Sequence, residues 1–142
     1  MANLIDALLA IDDDKLAKKP TDTIEVERLS KLTGTKFNIT ITAIAPARSD
    51  EITNTCIELT KGGRFKKIDT TMLHVLTILD SVTNIDFNNS GLKKKLKAAT
   101  PKEVILKLFT AGEVVEIFSA IQKLSGFRDA EDEEKAKNEI KN

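Results

Sequence analysis

The sequence predicts an α+β fold, mostly helical, with one antiparallel β-hairpin packed on a bundle of about five short helices. Three observations carry this. Between Thr21 and Ala45 apolar and polar residues alternate and β-branched side chains dominate, the period-two signature of strands. From Pro46 onward the apolar residues recur at helical spacing instead. Helix start and stop signals then punctuate the chain, with Thr100-Pro101 opening one helix and Gly126 closing another.

At the N-terminus, Leu4, Ile5, Leu8, Leu9 and Ile11 fall on one helical stripe behind Asn3, a capping residue type. Asp12 to Pro20 reads as a solvated connector. The stripe alone favours a helix lying loosely on the body, with a free, partner-binding helix as the alternative.

Two strands follow. Thr21 to Leu29 sets Ile24 and Val26 against Glu25 and Glu27. Lys36 to Ala45 sets Phe37, Ile39, Ile41 and Ala43 against Asn38, Thr40, Thr42 and Ile44. Ser30 to Thr35, with Gly34, joins them as a turn-like loop. A lone hairpin is marginal in water, so the face centred on Phe37, Ile39 and Ile41 must pack on helices.

In the helical part, Ser49 is a candidate cap for a helix with Ile52, Cys56, Ile57 and Leu59 on its stripe, stopped by Gly62-Gly63. Asp69 caps the next, which runs to Val82. Its apolar residues, Met72 to Val82, surround most of the circumference, which makes it the central helix. Asn84 to Ser90 reads as a loop with Phe87 tucked inward, and Leu92 to Ala98 as a short basic helix. Behind Thr100-Pro101, Glu103 suits the positive end of the helix dipole, and Val104, Ile105, Leu108 and Phe109 form a buried stripe. Gly112 interrupts, and Val114, Ile117, Phe118, Ile121 and Leu124 form a second stripe. Phe109, Phe118, Ile121 and Leu124 are assigned to the core. Gly126 ends that helix in a left-handed cap, and Phe127 folds back on its last turn. Residues 1–127 thus read as one domain: 1–20 helix and connector, 21–45 hairpin, 46–127 helical body. Residues 128–142 form a charged tail, flexible or marginally helical.

Composition narrows the function classes. The chain has 142 residues, with 22 basic and 22 acidic side chains that cancel, which argues against a general nucleic-acid binder. It holds no Trp or Tyr, so base stacking and aromatic hot spots are not expected. No apolar run is long enough to span a membrane, and the start lacks the basic region of a secretory signal. The single cysteine, Cys56, forms no internal disulfide and fits a reducing cytosol.

No catalytic, cofactor or metal site is predicted. His74 lies in the most apolar helix with no carboxylate adjacent in sequence, and Cys56 reads as a small core residue. Asp12-Asp13-Asp14 lacks the glycine and spacing of a calcium loop. Gly62-Gly63-Arg64 lacks the Lys-Ser/Thr of a phosphate loop. Lys93-Lys94-Lys95 with Lys97 reads as a solvated helix face.

One pattern is specific. Glu103 to Phe127, with Gly112-Glu113 and Leu124-Ser125-Gly126-Phe127 in register, followed by a charged tail closing Ile140-Lys141-Asn142, resembles the end of the XkdN-like phage tail assembly chaperones. Thr23-Ile24-Glu25-Val26-Glu27-Arg28-Leu29 looks like that family's strand ending in an Arg-Leu pair. The resemblance implies a protein of contractile-tailed phages or phage-like elements, non-enzymatic, acting in the cytoplasm of the bacterial host. It implies a chain that coats the tape measure protein, keeps it soluble, helps recruit tail tube subunits and is absent from the finished particle. Tube protein and further copies of the chain are the additional partners; no nucleic acid, membrane or cofactor is implied. The candidate contacts are Leu4 and Leu8 on the N-terminal helix, and Glu113 and Glu116 on the outward faces of the C-terminal helices. Helix-dipole and solubility roles are the alternative for the two glutamates. The rival readings are a structural tail or baseplate component, and a small cytosolic enzyme using Cys56 or His74.

Overall fold

The computed structural model describes residues 3–127. The charged tail expected over 128–142 lies outside the described residues. Among those described, eight helices and two small antiparallel sheets give a mostly helical α+β fold.

The first hairpin pairs β1 (Thr21–Glu25) with β2 (Asn38–Thr42), in the register Thr21 to Thr42 and Ile24 to Ile39. Ile39 and Ile41 are completely buried. β2 has β1 on one edge only. Its other edge is closed from the ends of two helices. The Ser81 hydroxyl accepts from the Thr42 amide and donates to the Thr42 carbonyl. The Asn84 side chain accepts from the Thr40 amide at 2.9 Å and donates to the Asn38 carbonyl at 2.8 Å. The Thr83 amide donates to the Thr40 carbonyl at 3.0 Å, and the Ser125 hydroxyl accepts from the Ile44 amide at 2.9 Å. Ser81 is fully buried, and these bonds satisfy it.

The connection between the strands departs from the expected loop. β1 stops at Glu25, and Glu27–Thr33 forms a helix, α3. Glu27, Arg28, Leu29, Lys31 and Leu32 are good or neutral helix formers, and Gly34, at φ +76°, is its left-handed cap rather than a hairpin turn. Only Leu29 on this helix is buried, so its amphipathic signal is one residue deep. The Ser30 hydroxyl pins it between the strands, donating to Glu25 and accepting from the Phe37 amide, both at 2.8 Å.

A second hairpin was not expected. The helix after Pro46, α4 (Pro46–Cys56), starts at its proline instead of behind Ser49 and ends at Cys56. Ile57–Leu59 is a strand, β3, paired with β4 (Phe65–Ile68). Ile57 and Leu59 therefore leave the helical stripe assigned to them, because alternation with Glu58 expresses a period of two. Gly62-Gly63 turns a hairpin, with Gly63 at φ +80°. The Asp69 amide returns the chain to the Cys56 carbonyl at 2.8 Å.

α5 (Thr70–Ser81) is capped by Asp69 and is central as expected: it packs against α4 and against the two C-terminal helices, and Val75 and Ile78 are buried. Arg48 on α4 holds Asp80 on α5 at 2.9 Å. Phe87 is buried in the following loop, before the basic helix α6 (Ser90–Leu96). α7 (Pro101–Leu108) is capped by Thr100, and α8 (Ala111–Leu124) by Thr110. α8 ends with the Gly126 amide on the Lys123 carbonyl and the Phe127 amide on the Gln122 carbonyl. Those two bonds, with Gly126 at φ +96°, make a Schellman close. The backbone folds back as expected, but the Phe127 side chain stays largely exposed.

One core joins these elements: Leu29, Ile39, Ile41, Ile78, Ile105 and Ile121 are among its members. Phe109 and Ile121 are buried as assigned. Phe118 and Leu124 are only half-buried. Phe118 lies against His74, with ring centroids 4.3 Å apart, instead of entering the centre.

The N-terminal arm corrects two expectations. α1 (Leu4–Leu9) buries no residue, so it does not lie on the body. Asp13–Ala17, expected as connector, forms a short helix, α2, which also buries nothing. Lys18, in extended conformation, ends α2, and the chain reaches β1 with every residue from Asn3 to Asp22 exposed.

Ile121→Ala should cost about 2–5 kcal/mol in denaturant melts, because the site is sealed. Phe118→Ala should cost less than Ile121→Ala, since its ring is already half in water. Ser81→Ala should cost about 1–3 kcal/mol by orphaning the Thr42 amide and carbonyl.

Candidate functional site

The junction between α7 and α8 organises the surface. Thr110 and Glu113 form a reciprocal capping box: the Glu113 amide reaches the Thr110 hydroxyl at 3.3 Å and the Thr110 amide reaches the Glu113 carboxylate at 2.9 Å. The same carboxylate receives Arg28 from α3, with Nε at 3.0 Å from Oε2 and Nη2 at 2.8 Å from Oε1. Nη2 also donates to the Leu108 carbonyl at 2.7 Å, at the end of α7. Arg28 thus clamps the end of one helix and the start of the next. The Arg28 hydrogen bond holds the Glu113 carboxyl below the usual glutamate range and raises the guanidinium in turn.

This clamp sits in a cleft of about 430 Å³ between β1, α3 and α8, lined by Ile24, Glu25, Glu27, Gly112 and Glu116 among others. Glu113 and Glu116 therefore share one cleft. The carboxylate of Glu113 is engaged within the chain; Glu116 is exposed.

Between α5, α7 and α8 runs a second depression of about 370 Å³, and its lining is mostly apolar: Leu106, Phe109, Ala111, Val114 and Val115 with Thr70, Thr71 and His74. Leu106 and Val115 are about half exposed, at 50% and 49%. Sequence reasoning missed this groove. Its signal was present: both residues are apolar yet fall beside the buried stripes of their helices. His74 forms part of the wall, and burial lowers its pKa, favouring the neutral ring.

The third surface is the arm. Leu4 is 81% exposed and Leu8 47%, with Ile5, Leu9 and Ile11 also open to solvent. The structure does not bring Leu4 and Leu8 to the cleft that holds Glu113 and Glu116. A fourth patch lies on the β3–β4 hairpin, where Leu59 and Phe65 pair and are both exposed.

Cys56 is buried, and burial pushes its thiol pKa up, the reverse of an activated nucleophile. Among the described residues no group of three or more His, Cys, Asp or Glu is placed to hold a metal ion, and no helix is long and apolar enough to cross a membrane.

The specific segments of the sequence meet in this arrangement. Arg28 comes from the Thr23–Leu29 run and Glu113 from the Gly112-Glu113 run, and the two are in direct contact. A family profile described as phage XkdN-like tail assembly chaperone protein matches residues 5–141. The chain belongs to that family. Among solved structures, this tail assembly chaperone is similar to the crystal structure of the protein YqbN, with a TM-score of 0.54 and 18% identity over 75% of this chain and 88% of that one. At that identity the likeness speaks for the fold alone. No curated protein matches the chain.

Thr110→Ala should cost about 1 kcal/mol by removing the α8 cap. The Glu113 shift adds a pH signature. Its folded pKa is depressed, so the stabilisation is complete above the ordinary glutamate range and is lost as pH falls through the lowered value. Thermal melts across acidic pH should show Glu113→Gln less stable than the parent near neutrality, with the gap closing on acidification. A gap independent of pH would contradict the ion-pair account.

Proposed function

We propose that this tail assembly chaperone binds the tape measure protein in the cytoplasm of the bacterial host, keeps it soluble and helps recruit tail tube subunits, without a catalytic step. It leaves before the particle is finished. The observation that carries the reading is an apolar helical stripe with no buried residue, on a chain of a tail assembly chaperone family. A long helical client presents a repeating apolar stripe that aggregates when bare. Many copies of a small protein, each bound weakly, cover such a client and yield to tube subunits as these assemble.

Leu4 and Leu8 make the first contact in this proposal, from an arm that owes nothing to the core. The apolar groove beside Leu106 and Val115 offers the body's own contact. Glu116, exposed at the neighbouring cleft, contributes specificity, while Glu113, held by Arg28, keeps the cleft in shape and presents its rim to the client.

Co-expression with the tape measure protein should raise the soluble fraction of that client and yield a complex that survives gentle crosslinking. Leu4→Asp with Leu8→Asp should abolish the gain while leaving the melting curve of the chaperone unchanged. Equal client solubility with and without the chaperone would sink the proposal. Mass spectrometry of purified particles should find no copies; stoichiometric copies would make the chain a structural tail component.

A further inference from the structure

We propose that the acidic run of the chain's own tail, residues 129–134, lies along the β3–β4 hairpin and covers it. That hairpin is an unpartnered sheet. β3 and β4 pack mainly on each other, and every residue from Leu59 to Ile68 is exposed. It is also basic. Lys61, Arg64, Lys66 and Lys67 stand on it against one carboxylate, Glu58, which Lys67 takes at 3.7 Å. Lys61, Arg64 and Lys66 form no ion pair among the described residues. The adjoining carboxylates do not offset them: Asp69 caps α5, Glu51 is paired with Arg48, and Asp50 lies about two turns before the end of α4.

The matching charge begins just past Phe127. Asp129, Glu131, Asp132, Glu133 and Glu134 follow Arg128 and precede Lys135. Where the described residues end puts this run beside the hairpin. Phe127 lines a small cavity with Ile52, Thr53 and Leu73. Thr53 sits about one turn before the end of α4 and Leu73 about one turn into α5, and the hairpin is strung between those two helix ends. An extended chain covers about 3.3 Å per residue, so Asp129 reaches about 7 Å from Phe127 and Glu134 about 23 Å. β4, with four residues, spans about 13 Å. The run is long enough to follow the hairpin from its base to its turn.

Other pairings of acid with base fit less well. The second lysine cluster, Lys93-Lys94-Lys95, lies on α6, which packs on α7, and the cavity at Phe127 includes no residue of either helix. The aspartates of the arm are offset by Lys15, Lys18 and Lys19. A single surface ion pair is weak, so the tail holds through several at once and salt screens the contact. With the tail in place the hairpin is closed to other partners, while the arm and the apolar groove stay open.

Carbodiimide crosslinking of the full chain at low ionic strength, on an equal mixture of light- and heavy-isotope copies read by mass spectrometry, tests this. The expected crosslinks join carboxylates of residues 129–134 to Lys61, Lys66 or Lys67 within one copy, and fall several-fold in about 1 M salt. Amide NMR gives a second readout. Neutralising the run (Asp129→Asn, Glu131→Gln, Asp132→Asn, Glu133→Gln and Glu134→Gln) should move the signals of Leu59 to Lys67 and leave those of Ile39 to Thr42 in place, which separates a lost contact from a folding defect. Salt should move the same hairpin signals several times further in the parent than in the neutralised chain. Hairpin signals indifferent to the neutralised run, crosslinks chiefly to Lys93, Lys94 and Lys95 or to the arm, or crosslinks chiefly between light and heavy copies would overturn the inference. Neither measurement contains a client, so such a result leaves the proposed function standing.

Discussion

β2 presents two hydrogen-bonding edges and has only one neighbouring strand. What closes its second edge sets the rest of the body. Thr40 and Thr42 bond to Ser81, Thr83 and Asn84 at the end of α5, and Ile44 bonds to Ser125 at the end of α8. The bonds to Ser81 and Ser125 are half-buried, and an orphaned group there would cost about 1–3 kcal/mol. The two long helices are therefore held at fixed heights against the strand, with Ile39 and Ile41 sealed beneath them. From that frame the positions of α7, the capping box and Arg28 follow, and with them the cleft on one flank of α8 and the apolar groove on the other. A two-stranded hairpin that would be marginal alone becomes the rigid centre of the fold.

The arm obeys the opposite logic. Burying Leu4, Ile5, Leu8 and Leu9 is worth about 1.5–3 kcal/mol each. Fixing the six residues of α1 costs about 1–2 kcal/mol each. The two nearly cancel, so a contact made by this helix is weak and reversible unless several copies act together. That balance suits the proposed role, in which a client is held and then handed on. A tightly docked arm would bind its own body instead, and a longer, more apolar one would aggregate.

Legibility in the sequence followed the strength of local signals. α5, α7 and α8 were readable because Asp69, Thr100-Pro101 and Gly126 mark their ends and each carries several buried residues. β2 was readable from five alternating positions. α3 was not, because a single buried residue, Leu29, leaves no periodicity, and a cap glycine resembles a turn glycine. β3 was too short to outweigh the helical stripe that Cys56 had begun. Phe118 had the spacing of a core residue, yet it is only half-buried and its ring lies tilted against His74. The Arg28–Glu113 contact spans 85 positions. Both residues stood in the motifs that mark the family, but nothing in the chain between them announces that they touch. Leu4 and Leu8 were legible as a stripe; only the absence of a surface beneath them distinguished an open arm from a docked one.

The account places the work of this protein on surfaces that the body leaves open, while β2 and its sealed edge stay unchanged. Hydrogen–deuterium exchange on the chaperone, free and bound to the tape measure protein, measures that division most directly. The account predicts that binding slows exchange in α1, at Leu4 to Leu9, and along Leu106 to Val115, with the amides of Ile39 to Thr42 unaltered. Protection confined to the β3–β4 hairpin, or none at α1 and the groove in a complex shown to have formed, would contradict it.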